Sequence, residues 1–182
     1  MKNAIILVLF ATMSLSLFGQ KQAALGLTNA LVIGQLDNPE DRYSLEINFT
    51  ELLTMYGVKA EPSLNYIKFG ENSQVLGEDS LIQIMKSKGI DTYALVSVRG
   101  YDKKFKKTNR RDSLSNALSV GSLFDLYRED IVSISFEFKF YRNGVFVYTD
   151  IVKCGNVGDR SSVIKRFRKK TGKRIAKRWM KK

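Results

Sequence analysis

Histidine is absent from the chain and cysteine occurs once, at Cys154. The commonest general base, the Cys/His zinc sets and the His-assisted nucleophiles are therefore excluded by count. A lone cysteine at a strand end reads as a small buried apolar residue. Carboxylates remain, but the clusters Asp37 with Glu40 and Asp41, and Glu78 with Asp79, fall where helices start. Negative charge there complements the helix dipole, so capping accounts for them better than acid/base catalysis or calcium binding. No catalytic, metal-binding or cofactor-binding residue is assigned, and no cofactor is expected.

The chain carries positive charge instead. Formal net charge is +12, from 30 basic and 18 acidic residues. Twelve of the basic residues lie between Arg160 and Lys182, a span with no Asp or Glu, so the rest of the chain is balanced. Lys165, Arg166, Arg168, Lys169, Lys170, Lys173, Arg174, Lys177 and Arg178 are the candidate contacts to an anionic partner. Val163, Ile164, Phe167, Thr171, Ile175 and Trp179 form a narrow apolar stripe at helical spacing in the same segment. The segment thus reads as a helix docked by its stripe, with its cations either simply solvated or offered to phospholipid headgroups, lipopolysaccharide phosphates or an acidic protein. Nucleic acid is not expected, because aromatics do not interleave with the charges as a base-stacking platform requires. Gly172 weakens this helix by roughly 1 kcal/mol relative to Ala.

Three weaker signals accompany it. Lys103, Lys104, Lys106, Lys107, Arg110 and Arg111 lie in a stretch without apolar periodicity, read as a long basic loop over 101–123 and a secondary candidate surface. Gly155 to Ser162 joins a strand to a helix, the setting in which backbone amides cradle phosphate, although it lacks the Walker lysine and the Rossmann spacing. It is otherwise a connecting turn. Asp79-Ser80-Leu81 and Asp112-Ser113-Leu114 match a three-residue O-glycosylation acceptor pattern of some Gram-negative bacteria; the second, in the loop, is the better candidate.

The elements that position these groups are legible from patterning. Ala30 to Gly34 is a continuous apolar run of strand length, suited to burial on both faces. Asn38 and Pro39 start a helix, with Leu45, Phe49, Leu52, Leu53 and Tyr56 as its stripe and Gly57 as its terminator. Tyr43, Leu45, Ile47 and Phe49 also alternate as a strand would; the cap, proline and glycine together read as helix. Val58 to Ile67 is a weak strand whose Pro62 fits an edge. A second helix spans about Asp79 to Lys88, with Leu81, Ile84 and Met85 inward and Gly89 closing it, and Asp91 to Arg99 is a third strand. This order predicts parallel pairing through right-handed crossovers. Asp130 to Cys154 reads as a hairpin about Asn143-Gly144, with Val132, Ile134, Phe136, Phe138 and Phe140 on one face and Ser133, Ser135, Glu137 and Lys139 on the other. A two-residue turn would set Glu137 opposite Asp150; a three-residue turn from Arg142 would not. The fold class is α/β (α+β): a single mixed sheet with helices packed on it and a C-terminal basic helix.

The first residues read as an address. Lys2, the apolar run Ala4 to Ala11 and the small or polar residues to Gly19 make a secretory signal peptide over 1–19, followed by a single domain over 20–182. The run is short of the roughly 20 residues a spanning helix needs, so no transmembrane helix is expected after signal removal; an uncleaved anchor is the alternative. Cleavage after Gly19 leaves Gln20 first, and cuts after Ala23 or Ala24 are the alternatives. Leu17-Phe18-Gly19-Gln20 has the shape of a lipobox, but Gln20 stands where lipid attachment requires Cys. The expected location is periplasmic or secreted, without a lipid anchor.

The order of LVIG strand, Asn38-Pro39-Glu40-Asp41-Arg42 helix start, Gly57-Val58, Gly89-Ile90-Asp91, long loop, hairpin and basic helix resembles small periplasmic α/β domains. Those named by the likeness are the TolB N-terminal domain and the penicillin-binding-protein activator and curli-assembly lipoproteins. The Gly89 to Val96 passage carries it most directly. The resemblance implies a binding or assembly module, supplies no catalytic residue, and is broken by the missing lipid-attachment Cys. The expectation is a non-enzymatic envelope protein that binds an envelope protein or an anionic surface; the rival is an enzyme working through carboxylates or backbone amides alone. Metabolic labelling with a fatty acid is expected to leave the exported protein unlabelled, and its intact mass to begin at Gln20 or after Ala23 or Ala24.

Overall fold

β1 (Asn29–Gln35) sits inside the sheet and is buried along nearly its whole length, as its uninterrupted apolar run requires. The computed structural model describes residues 25–67, 73–100, 113–114, 133–155, 157 and 159–181. The signal segment and the loop cations Lys103, Lys104, Lys106, Lys107, Arg110 and Arg111 lie outside them. Chain order is β1, α1 (Pro39–Met55), β2 (Lys59–Pro62), α2 (Asp79–Ser87), β3 (Thr92–Gly100), β4 (Ser133–Arg142), β5 (Val145–Gly155) and α3 (Arg160–Arg174), which runs on into a π-helical turn, Ile175–Trp179. The sheet order is β2-β1-β3-β4-β5, with β1 parallel to β2 and β3 and the β3-β4-β5 ladder antiparallel.

The start of α1 forms as read: the Asn38 side chain accepts from the Glu40 and Asp41 amides at 2.9 and 3.1 Å. Leu45, Phe49, Leu52 and Leu53 are buried, whereas Tyr56, expected in the stripe, caps the helix and is 36% exposed. Its position past the last turn takes it off the sheet-facing side. β2 is an edge strand that stops at Pro62, which has no N–H to continue a ladder. In α2 the inward arc is Leu81, Ile82 and Met85; Ile84, expected inside, is 43% exposed. Leu81, Ile82 and Met85 are neighbours on the helix surface, and Ile84 falls outside that arc.

The sheet has a core on each side. One face joins Ala30, Val32, Ala94, Val96, Ile134, Phe136, Phe138 and Phe140 to α1 and α3. The other joins Leu31, Ile33, Tyr93, Leu95 and Tyr141 to Met85, Ile67, Leu76 and Leu114. Glu137 and Ser135 do point away from the phenylalanines, yet both are buried. Glu137 accepts two hydrogen bonds from Arg99, at 2.8 and 2.9 Å.

The hairpin turn is two residues, with Asn143 at φ 50° and Gly144 at φ 79°, and Arg142 opposite Val145. The expected Glu137–Asp150 pairing is nonetheless absent. Phe140 faces Tyr148 while Tyr141 faces Phe146, so Val147 is an extra residue and the register beyond it shifts by one. Glu137 therefore opposes Ile151, and Asp150 opposes Phe138 on the helix-covered face.

Behind α1 a buried ion pair ties helix to strands. Glu46 is fully buried, 3.0 Å from Arg42 Nε, and accepts from the Gly34 amide at 2.8 Å and the Ser63 hydroxyl at 2.8 Å. Burial pushes its carboxyl above the usual range, and the Gly34 amide, the Arg42 charge and Ser63 pull it back. Glu46→Ala removes the buried carboxylate that Arg42, the Gly34 amide and Ser63 share, and urea unfolding is expected to show a loss of about 3–5 kcal/mol.

Candidate anion-binding groove

α3 is held at both ends and along its middle. At its start Asp159 and Ser162 form a capping box, with the Asp159 carboxylate accepting from the Ser162 amide at 2.7 Å. That carboxylate occupies the helix N-terminus, so the phosphate-cradling alternative for Gly155 to Ser162 loses its anion position; Asn156 and Gly158 lie outside the described residues. Arg160 reaches across to α1, donating to the Glu40 carbonyl at 3.0 Å and lying 3.5 Å from Asp41. Phe167 packs against Phe136, Phe49 and Phe138 with centroids 4.9, 5.9 and 6.0 Å apart. A Cβ on Gly172 would come within 3.0 Å of the Tyr56 hydroxyl, so this glycine lets α3 approach α1 closely.

The π turn solves a spacing problem. Thr171, Ile175 and Trp179 lie four apart, and each such step in an α-helix overshoots a full turn by about 40°. The i→i+5 bond from Met180 N–H to the Ile175 carbonyl, 3.2 Å, belongs to a wider turn that brings Trp179 back over the sheet. Trp179 is fully buried and donates its indole N–H to Asp150 at 3.1 Å. Its ring lies 4.9 Å from Phe138 and 5.1 Å from Phe140.

With the helix fixed this way, its nine candidate cations divide. Arg168 turns toward α1, donating to Glu51 at 2.8 Å and to Asn48 Oδ1 at 2.9 Å, so its guanidinium is engaged within the fold. The reason is position: it lies on the side of α3 that faces α1's polar flank. Lys165 and Lys169 are exposed, and Arg166 is half-buried. Lys170, Lys173, Arg174, Lys177 and Arg178 come together with Lys153 of β5, lining a groove of about 450 Å³ whose floor includes Ile151 and Val152. Among the described residues, six cations and no carboxylate line it. Arg174 also stands 3.9 Å from Asp150 beneath the groove.

Sequence reasoning missed Lys153 and Asp150. The bulge that sets their directions has no sequence mark, but the lone Trp179 in a cationic helix did signal a need for an acceptor once buried. Tyr148 beside them is held above its ordinary pKa by burial and by the Asp150 charge, against a hydrogen bond and the charge of Arg178 and that of Arg174. Of the acceptor-pattern serines, Ser80 is exposed in the first turn of α2 and Ser113 is exposed beside the buried Leu114.

No family model matches the chain, and no curated protein matches it. Solved structures do match. A PelC dodecamer from Paraburkholderia phytofirmans aligns at TM-score 0.47 and 12% identity over 88% of this chain and 93% of that one. The lipoprotein GNA1162 from Neisseria meningitidis aligns at TM-score 0.43 and 10% identity over 82% and 98%. Similarity this low carries no argument about family, activity or partners. The TolB, penicillin-binding-protein activator and curli-assembly likeness is matched by no family model. Among the described residues no helix is long and apolar enough to cross a membrane.

Cys154 lies fully buried under α3. Burial pushes its thiol up to about 11, although the nearby Lys170 and Arg166 charges pull the other way. Below that value it stays a thiol, and the thiolate is the reactive form. Native protein at neutral or mildly alkaline pH is therefore expected to resist alkylation, with full modification on unfolding, followed by mass spectrometry.

Proposed function

We propose that this is an exported, non-enzymatic envelope protein, periplasmic or secreted, that works as a binding or assembly module by holding an anionic partner against α3. The groove carries this reading: six cations converge on one concavity with no carboxylate in its described lining, and Asp150, 3.9 Å from Arg174, offsets one of those charges. Like charges gathered beside a low-dielectric wall raise the local potential and favour an anion. The capping box, the Phe167 contacts and the Trp179 hydrogen bond hold the five helix cations in place beside Lys153 of β5, so an incoming anion meets them pre-arranged.

A second reading is a peripheral contact with an anionic membrane or lipopolysaccharide surface. The exposure of Lys165 and Lys169, on the outer side of α3 away from the groove, supports it.

Deleting α3 is a poor test, because Phe167, Ile175 and Trp179 would leave the core with it. Charge reversal at exposed positions is better. Lys170→Glu, Lys173→Glu and Lys177→Glu combined are expected to keep the thermal unfolding profile and to weaken binding of labelled polyglutamate at least roughly tenfold, with wild-type binding falling as salt rises. Salt-independent binding, or equal binding by the variant, overturns the proposal. Vesicles of phosphatidylglycerol, set against phosphatidylcholine, test the membrane reading through Lys165→Glu and Lys169→Glu.

A further inference from the structure

The six groove cations are not equivalent. Arg174 lies 3.9 Å from Asp150, and Arg178 hydrogen-bonds Tyr148, so the fold already draws on both guanidiniums. Lys153, Lys170, Lys173 and Lys177 make no ion pair among the described residues. The difference bears on the kind of anion that fits. A guanidinium fork matches a planar carboxylate with two parallel hydrogen bonds, whereas an ammonium is a point charge that meets a tetrahedral anion from any side. The cations left for a ligand are thus chiefly of the kind suited to phosphate.

Charge and spacing bound the ligand further. Six cations, one of them offset by Asp150, leave about five positive charges to be met. A phosphate monoester carries about −1.5 to −2 at neutral pH, so one leaves most of that charge unmet and two meet the greater part. Lys170, then Lys173 with Arg174, then Lys177 with Arg178, form tiers that helical rise sets about 10.5–12 Å apart from first to last. Two phosphates can therefore occupy separate tiers without crowding each other, with Lys153 reaching in from β5. The concavity, about 450 Å³, is of the size that holds small molecules, and Ile151 and Val152 put apolar surface on its floor.

Resting on the anionic-partner reading above, we propose that the groove is a binding site for a compact organic bisphosphate, two phosphate groups on one small carbon body. The carbon body would lie over Ile151 and Val152, and the lysines would hold the phosphates at its two ends. The chemistry is the same whether the compound is free or is the headgroup of a lipid.

The test uses the full exported chain at low salt and four probes: glucose phosphorylated at both ends, glucose with one phosphate, capped tetraglutamate, and diphosphoryl lipid A in phosphatidylcholine vesicles. Calorimetry is expected to show the bisphosphate binding at least roughly tenfold more tightly than the monophosphate or tetraglutamate. Lys170→Gln/Lys173→Gln/Lys177→Gln is expected to cost at least roughly tenfold, Lys153→Gln to weaken binding in the same direction, and Lys165→Gln/Lys169→Gln to leave it unchanged. The chain has no histidine, and the second phosphate proton leaves near about pH 6, so bisphosphate affinity is expected to fall between about pH 7.5 and about pH 5 more steeply than that of tetraglutamate. Titration of Asp150 or Tyr148 beneath the groove would act on both probes alike. Vesicle binding competed by the soluble bisphosphate supports the site with a lipid source; binding of the soluble compound alone supports it with a free one. Tetraglutamate binding as tightly, with the same pH profile, overturns the phosphate assignment and leaves the anionic-partner reading. Equal binding of the monophosphate overturns the two-phosphate site, and indifference to Lys153→Gln overturns its placement in the groove. Vesicle binding without soluble binding overturns the compact ligand and leaves the membrane reading. Binding of no probe overturns both this inference and the reading on which it rests.

Discussion

The indole N–H of Trp179 meets the carboxylate of Asp150 at 3.1 Å in a wholly buried setting, and much of the molecule depends on that contact. A buried carboxylate without donors is costly, and a buried indole N–H without an acceptor is nearly as unwelcome. Each satisfies the other, so the end of the chain is committed to the hairpin. The commitment spreads further: the Leu27 amide donates to the Trp179 carbonyl at 2.8 Å, and the Gly26 amide to that of Lys181 at 3.0 Å. Arg142 adds a hydrogen bond to the Leu25 carbonyl at 2.9 Å. The lead into β1, the hairpin and the last turn are thereby one unit.

Two local irregularities make this contact available. The extra residue at Val147 moves Asp150 from the Glu137 face to the helix face. The π turn rotates Trp179 back toward it. Neither would place the pair alone. With both present, the last helix lies so that one flank, through Arg168, serves the fold and another, through Lys170 to Arg178, lies beside Ile151 to Lys153 of β5. A segment of nearly uniform charge thus acquires flanks with different tasks.

Much of the scaffold was legible because local signals agreed with one another. Asn38 and Pro39 marked α1, Asn143-Gly144 marked the turn, and the Phe136, Phe138, Phe140 alternation marked the covered face. Readings failed where a side chain's surroundings came from distant sequence. Glu137 was legible only as lying on the face opposite the phenylalanines, and its burial against Arg99 was not. Ile84 and Tyr56 fitted stripes by spacing but sit beyond the arcs that the packed elements bury. Arg168 could not be told from its neighbours, since only the approach of α1 distinguishes it.

By itself the sequence determined the class of fold, the parallel-then-antiparallel order of strands, the burial of Cys154 and the concentration of positive charge in a terminal amphipathic helix. These follow from periodicity, turn chemistry and composition, which act over a few residues. The tertiary structure decided which cations meet in space and that Lys153 joins them beside β5. Those outcomes depend on one register shift and one widened helical turn, each a compromise between local hydrogen bonding and burial of aromatic surface. Such compromises are resolved only when the sheet and helix pack together.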